Sequence, residues 1–105
     1  MRIFHLTTPE VWAQAQRDGA YTTSTRGRSL TDEGFVHCSE AHQVEGVRRR
    51  FFGDLDELVL LEVDTDLLTS PWRAEQLDGT DQPYPHVYGP LDLAAVVDVR
   101  RIPAT

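Results

Sequence analysis

The mostly apolar run from Arg2 to Leu6, bounded by polar residues, predicts a β-strand with Ile3 and His5 on one face and Phe4 and Leu6 on the other. Thr8-Pro9-Glu10 then supplies a capping hydroxyl, a proline for the first helical position and a carboxylate for the first turn. Val11, Trp12 and Ala15 give that helix its apolar face, and Asp18-Gly19 ends it with a left-handed cap. Tyr21 opens a short extended piece. From Thr22 to Arg28 no period is visible, and the polar, glycine-containing composition predicts a mobile surface loop that carries Arg26 and Arg28.

Ser29 to Gly34 reads as a single helical turn and Phe35 to Cys38 as a second strand. Ser39 is placed to cap a second long helix, with Val44, Val47 and Phe51 as its buried stripe. Arg48, Arg49 and Arg50 suit the negative pole of its dipole, and Gly53 stops it. Leu58 to Asp64 is the most apolar run and predicts a central strand. Trp72 to Leu77 alternates irregularly but predicts a strand, Asp78 to Pro83 a turn-rich loop, and Ala95 to Ile102 a last strand. This order predicts an α+β fold in a single domain, 1–105, with two main helices in the N-terminal half and sheet late.

Charge narrows the functional classes. The net charge is −7, and all ten basic residues are arginine. An acidic surface argues against broad nucleic-acid binding, which needs many phosphate contacts, yet it leaves room for a local basic pocket. Without lysine there is no Schiff-base or P-loop chemistry. One cysteine excludes an internal disulfide framework and a multi-cysteine zinc site. No apolar run approaches the ~20 residues of a membrane helix, and no signal-peptide pattern is visible, so the expectation is a cytoplasmic protein with no membrane partner.

The candidate chemistry lies in three histidines. His37 sits in Glu33-Gly34-Phe35-Val36-His37-Cys38-Ser39, where a short strand delivers polar side chains to a pocket mouth. Cys38 points away from His37 on a strand, so the two cannot form a thiolate–imidazole pair, whereas His37 and Ser39 share a face. His86 lies among prolines in Pro83-Tyr84-Pro85-His86-Val87-Tyr88-Gly89-Pro90. Tyr84, His86 and Tyr88 alternate and, where the backbone is extended, share one face, on which the aromatics suit stacking on a planar ring. His5 on the first strand is the third, and the three are expected to meet. Each also has an ordinary reading as a hydrogen-bonded core residue. His42 faces outward on a helix and receives no role. Three histidines could hold zinc, but no His-x-x-x-His pairing is present, so no metal is expected. Asp54 to Glu57 and Asp64 to Asp66 read as solvated turns without the calcium-loop pattern.

Phe4-His5-Leu6-Thr7, Trp12, Gly19-Ala20-Tyr21, Glu33 to Ser39, Leu58 to Asp64 and Pro85 to Leu91 together resemble a bacterial family called domain of unknown function 952, over nearly the whole chain. More distantly, His5-Leu6-Thr7, Trp12, Gly19 and a strand carrying His37 are similar to the first half of the tRNA 2′-phosphotransferases and to the opening of the poly-ADP-ribose polymerases. That resemblance implies an ADP-ribosyltransferase-like split β-sheet with NAD, as a possible substrate, held between two small sheets. By it, His5 hydrogen-bonds a ribose hydroxyl with Thr7 in support, His37 and Ser39 line the nicotinamide side, and His86 occupies the third, catalytic motif. The chain departs from the pattern at Leu6, where those families have glycine, and has no clear counterpart of their catalytic glutamate, Glu62 and Glu75 being the candidates.

The expectation is an enzyme that binds NAD or a related phosphorylated nucleotide and acts at the ribose. His37 and His86 serve as acid, base or electrostatic stabiliser, Tyr88 stacks, and Arg28 contacts the ligand. The alternative is a non-catalytic nucleotide- or metabolite-binding domain of the same fold.

Overall fold

Two three-stranded antiparallel sheets and two main helices organise residues 1–77, 80 and 82–103, which the computed structural model describes. In chain order the elements are β1 (Arg2–Thr7), α1 (Pro9–Asp18), β2 (Ala20–Tyr21), β3 (Thr23–Thr25), β4 (Arg28–Ser29), α2 (Leu30–Glu33), β5 (Val36–His37), α3 (Val44–Phe52), β6 (Glu57–Asp64), β7 (Trp72–Glu75), β8 (Tyr84–Val87), β9 (Leu91–Asp92) and β10 (Val96–Pro103). Short 3₁₀ turns cover 41–43, 65–67 and 93–95. The fold is α+β.

The apolar run over β6 becomes the middle strand of the order β1-β6-β10, the central position its near-continuous hydrophobicity predicts. Ile3, Leu61 and Val63 pack on one side with Tyr21, Val36, Val87 and Leu91, and Val11 and Trp12 of α1 lie against this cluster. Leu6 and Leu58 pack on the other side with Val47 and Phe52 of α3. The second sheet has the order β5-β8-β7, with His37 opposite His86 and His86 opposite Arg73.

The two sheets are tied where Phe4 and Ser39 exchange both backbone hydrogen bonds, each 2.7 Å long. The N–H of Cys38, fully buried between these contacts, donates to the carbonyl of Pro85 at 2.9 Å. Ser39 therefore does not cap the second helix as the sequence predicts. Strand pairing continues through it, and Glu40 starts the helical segment, its N–H bonded at 2.9 Å to the Gln43 side chain.

The first helix follows its sequence signals: Thr8 Oγ1 accepts the Val11 N–H, and Gly19 caps the C-terminus at φ 84°. Ser29 and Asp32 form a reciprocal capping box on α2, which Gly34 closes. Two further expectations are corrected. The stretch 22–28 is not an irregular loop but carries β3 and turns at Gly27 into β4, as its β-branched threonines favour. Phe52, rather than Phe51, completes the buried stripe of α3, because a 3₁₀ turn precedes the helix and the stripe runs from Val44 to a position two turns on. Phe51 is left 45% exposed. The strand expected over 72–77 ends at Glu75. Within the turn-rich loop, residues 78, 79 and 81 lie outside the described set. No helix among the described residues is long and apolar enough to cross a membrane.

Candidate functional site

β1 carries His5 into the core, where its ring bridges the two sheets. Nδ1 lies 2.6 Å from the carbonyl oxygen of His37, and Nε2 lies 2.7 Å from the Tyr21 hydroxyl. A carbonyl can only accept, so Nδ1 carries the proton, and in the neutral ring Nε2 accepts from Tyr21 O–H. Burial lowers the His5 pKa from 6.5 to about 4, against the backbone hydrogen bond that raises it. Thr7 hydrogen-bonds the Tyr21 hydroxyl in turn, and burial pushes the Tyr21 pKa upward. His5, Tyr21 and Thr7 thus form a buried polar chain beneath the backbone of β5.

That chain supports His37. Its ring is tilted against those of Tyr84, at 5.1 Å between centroids, and His86, at 5.4 Å. Burial, then the charges of His86 and Arg50, lowers the His37 pKa to about 4, so its imidazole is neutral at pH 7. His86 is 1% exposed and lies under Phe35, with the two rings stacked 4.0 Å apart. Its Nδ1 sits 3.0 Å from Glu75 Oε1, the same oxygen that accepts the Tyr88 hydroxyl, and Arg73 lies 4.6 Å over the Tyr88 ring. The Tyr88 and His86 hydrogen bonds hold the Glu75 carboxyl below its ordinary pKa.

Above His37 opens a cavity of about 440 Å³. Its walls come from the β3–β4 hairpin, the end of α2, α3, β8 and the segment after β7. Three guanidinium groups, Arg26, Arg28 and Arg50, border it together with three aromatic rings, Phe35, Phe51 and Tyr84. Arg26 is paired with Asp54 through both nitrogens, at 2.5 and 2.9 Å, which fastens the hairpin tip to the loop after α3. Arg50 lies 5.2 Å over the Phe51 ring. Glu33 is the lone carboxylate among the described lining residues, and Thr25 Oγ1 donates to it at 3.2 Å. This is a basic, aromatic cleft in a chain of net charge −7.

The three histidines lie together, but they divide between surfaces. His37 and Arg28 border the cleft, and His5, His37 and Ser39 wall a small recess beside it. Thr7 lies deeper, against Tyr21. His86 and Tyr88 are absent from the described lining, because Phe35 lies over the one and beside the other. Of the two candidate glutamates, Glu75 holds His86, whereas Glu62, on β6, is bound to Arg2 and Arg100. Sequence reasoning missed Arg50, Glu33 and Phe51. Arg50 was legible only as a charge near a helix end, and Glu33 only as part of a helical turn at the start of the His37 stretch. Among the described residues, no group of three or more His, Cys, Asp or Glu side chains is arranged to hold a metal ion.

Residues 6–99 match the model of a family described as "Protein of unknown function (DUF952)". No curated protein matches the sequence. The chain is similar to the crystal structure of protein CC0527 from Caulobacter crescentus, with a TM-score of 0.82 and 25% identity over 96% of this chain and 85% of that one. It is also similar to the solution NMR structure of CC0527, with a TM-score of 0.73 and 27% identity over 94% and 82%.

Proposed function

The chain belongs to the DUF952 family, whose description assigns no activity, and we propose that its cleft binds NAD or a related phosphorylated nucleotide and acts at the ribose. One observation carries this reading: three arginines and three aromatic rings border a single cavity of about 440 Å³. Guanidinium forks match phosphate oxygens, and aromatic faces stack on a base. The volume falls in the range of small-molecule sites. The resemblance to ADP-ribosyltransferases, with two small sheets beside a ligand cleft, adds weight to NAD as the nucleotide.

The chemistry needs little from the histidines. When the ribose C1–N bond of NAD breaks, the bonding pair passes to the cationic ring nitrogen and nicotinamide leaves neutral, so no acid has to protonate it. Positive charge builds at C1 and the ring oxygen, where a nearby carboxylate stabilises it. Glu33, held by Thr25, is the group in the cleft for that role. Water or an acceptor hydroxyl then bonds to C1 and gives up its proton to solvent. His37 orients the ligand as a neutral hydrogen-bonding group.

Incubation with NAD and chromatography of the products tests this. Nicotinamide release that falls at least a hundredfold in Glu33→Gln, with ADP-ribose binding retained, is the expected result. A second reading, binding without turnover, is favoured by His86 lying under Phe35 and by a His37 pKa far below neutrality. ADP-ribose binding with no nicotinamide release selects it. Absence of binding to either ligand at millimolar concentration removes both readings.

A further inference from the structure

Beside the cleft lies a recess of about 20 Å³, with His5, Ser24, His37 and Ser39 on its polar side and Leu6 and Val47 on its apolar side. It shares Thr25, His37 and Phe51 with the main cavity, so the two adjoin at the His37 ring. Ser24, on β3, is fully buried, and its Oγ has no hydrogen-bond partner among the described residues. Buried hydroxyls in native proteins are almost always bonded to protein, water or ligand, so this one calls for an occupant. Its neighbours do not supply one. Both ring nitrogens of His5 are already engaged, and the Ser39 backbone is bound to Phe4.

Size and chemistry define the occupant. A water needs about 10–15 Å³ of such volume, so the recess has room for one oxygen. A neutral imidazole and a rotatable hydroxyl suit a group that both donates and accepts. Ser24 stands among Thr22, Thr23 and Thr25 and is the smallest side chain of that run, at the wall of the recess. We propose that the recess is a hydroxyl subsite of the cleft, in which Ser24 and His37 receive a single neutral oxygen, from a ligand sugar or from a water held in its place. The proposal rests on the reading of the cleft as a nucleotide site and names the polar contact that would select a ribose.

Calorimetric titration of wild type, Ser24→Ala and Ser24→Thr with ADP-ribose and with inorganic pyrophosphate tests it. Both variants should bind ADP-ribose about tenfold more weakly, or about 1.4 kcal/mol, while pyrophosphate, which needs only the arginines, binds unchanged. ADP-ribose analogues lacking one ribose hydroxyl at a time separate the sources. If one analogue binds wild type and Ser24→Ala equally, its missing hydroxyl is the occupant; if the variant weakens every analogue, the oxygen is a water. Unchanged ADP-ribose affinity in both variants overturns the subsite. If wild type binds no ADP-ribose, the nucleotide reading fails, and the recess is judged by nuclear Overhauser contacts from water to Ser24 and His37. A long-lived water there supports the oxygen site. No such water, with Ser24→Ala melting no lower than wild type, overturns it.

Discussion

His5 Nδ1 donates to the carbonyl oxygen of His37 across 2.6 Å, so a side chain of the first strand holds the backbone of the residue that faces the cleft. His5→Phe keeps the ring volume but leaves the His37 carbonyl and the Tyr21 hydroxyl without their partner. A loss of about 2–4 kcal/mol in urea unfolding is expected, since two buried polar groups lose their bonds. A loss below about 0.5 kcal/mol would refute the bracing role.

Both His5 and His37 have folded pKa values lowered from 6.5 to about 4. Between those values the unfolded chain binds more protons than the folded one, so stability falls as pH falls. The contribution is fully present above about pH 6.5 and lost as pH drops through about 4. For His5 it is on the order of 3 kcal/mol at neutral pH. Carboxylates such as Asp32 and Asp98, whose pKa values are lowered by hydrogen bonds, add their own loss at the acid end. Urea midpoints measured from pH 7 to 4 should therefore decline steeply in wild type and less steeply in His5→Gln. Parallel profiles would contradict the assignment.

Arg50 depresses the His37 pKa, after burial and His86. Arg50→Ala should raise that pKa partway toward 6.5, visible as an upward shift in the histidine titration by NMR. The same variant should weaken pyrophosphate binding roughly tenfold, the scale of one charged hydrogen bond. A His37 titration that does not move places Arg50 away from the ring.

Glu75 accepts from both Tyr88 and His86 Nδ1. Nitrogen-15 spectra should show a protonated His86 Nδ1 that exchanges slowly with solvent. In Glu75→Ala that proton should exchange faster, and the Tyr88 pKa, raised chiefly by its hydrogen bond to Glu75, should fall. Identical spectra in the variant would exclude the pairing.

Gly89 turns the chain directly after Tyr88 at φ 156°, and a Cβ there would meet Ser70 Oγ at 2.3 Å. That Oγ is itself bonded to the Pro90 carbonyl at 2.9 Å, so it cannot simply rotate away without losing a partner. Gly89→Ala is expected to lower stability by about 1–3 kcal/mol, with partial recovery in Gly89→Ala/Ser70→Gly. A melting temperature equal to wild type would show that the turn relaxes freely.

The parts of the fold written in local rules were legible. Thr8-Pro9 and Gly19 bracket α1, Ser29 and Gly34 bracket α2, and the apolar run 58–64 becomes the inner strand. Ser39 was misread because two local rules competed, a helix cap against strand pairing, and a partner 35 residues away at Phe4 decided between them. The hairpin over 23–29 was hidden because its threonines carry no apolar period, only β-branching and one inward serine. His5 and His37 were readable on their predicted strands, whereas His86 was placed only in a proline-restricted stretch, which pairing with β5 and β7 makes the strand β8. The lid of Phe35 over His86 and the turn of Arg50 toward His37 depend on tertiary packing and on the phase at which α3 begins, which no spacing in the sequence records.

Cys38 is fully buried between His37 and Ser39, its backbone bonded to Pro85, and burial pushes its thiol pKa upward. Such a thiol meets reagent only when the strands around it part. Because the chain has one cysteine, the rate of its modification by an excess of thiol reagent counts those openings one site at a time. The seam between the sheets therefore contains its own stopwatch: a molecule seated over His37 would lengthen the interval between openings, whatever that molecule proves to be.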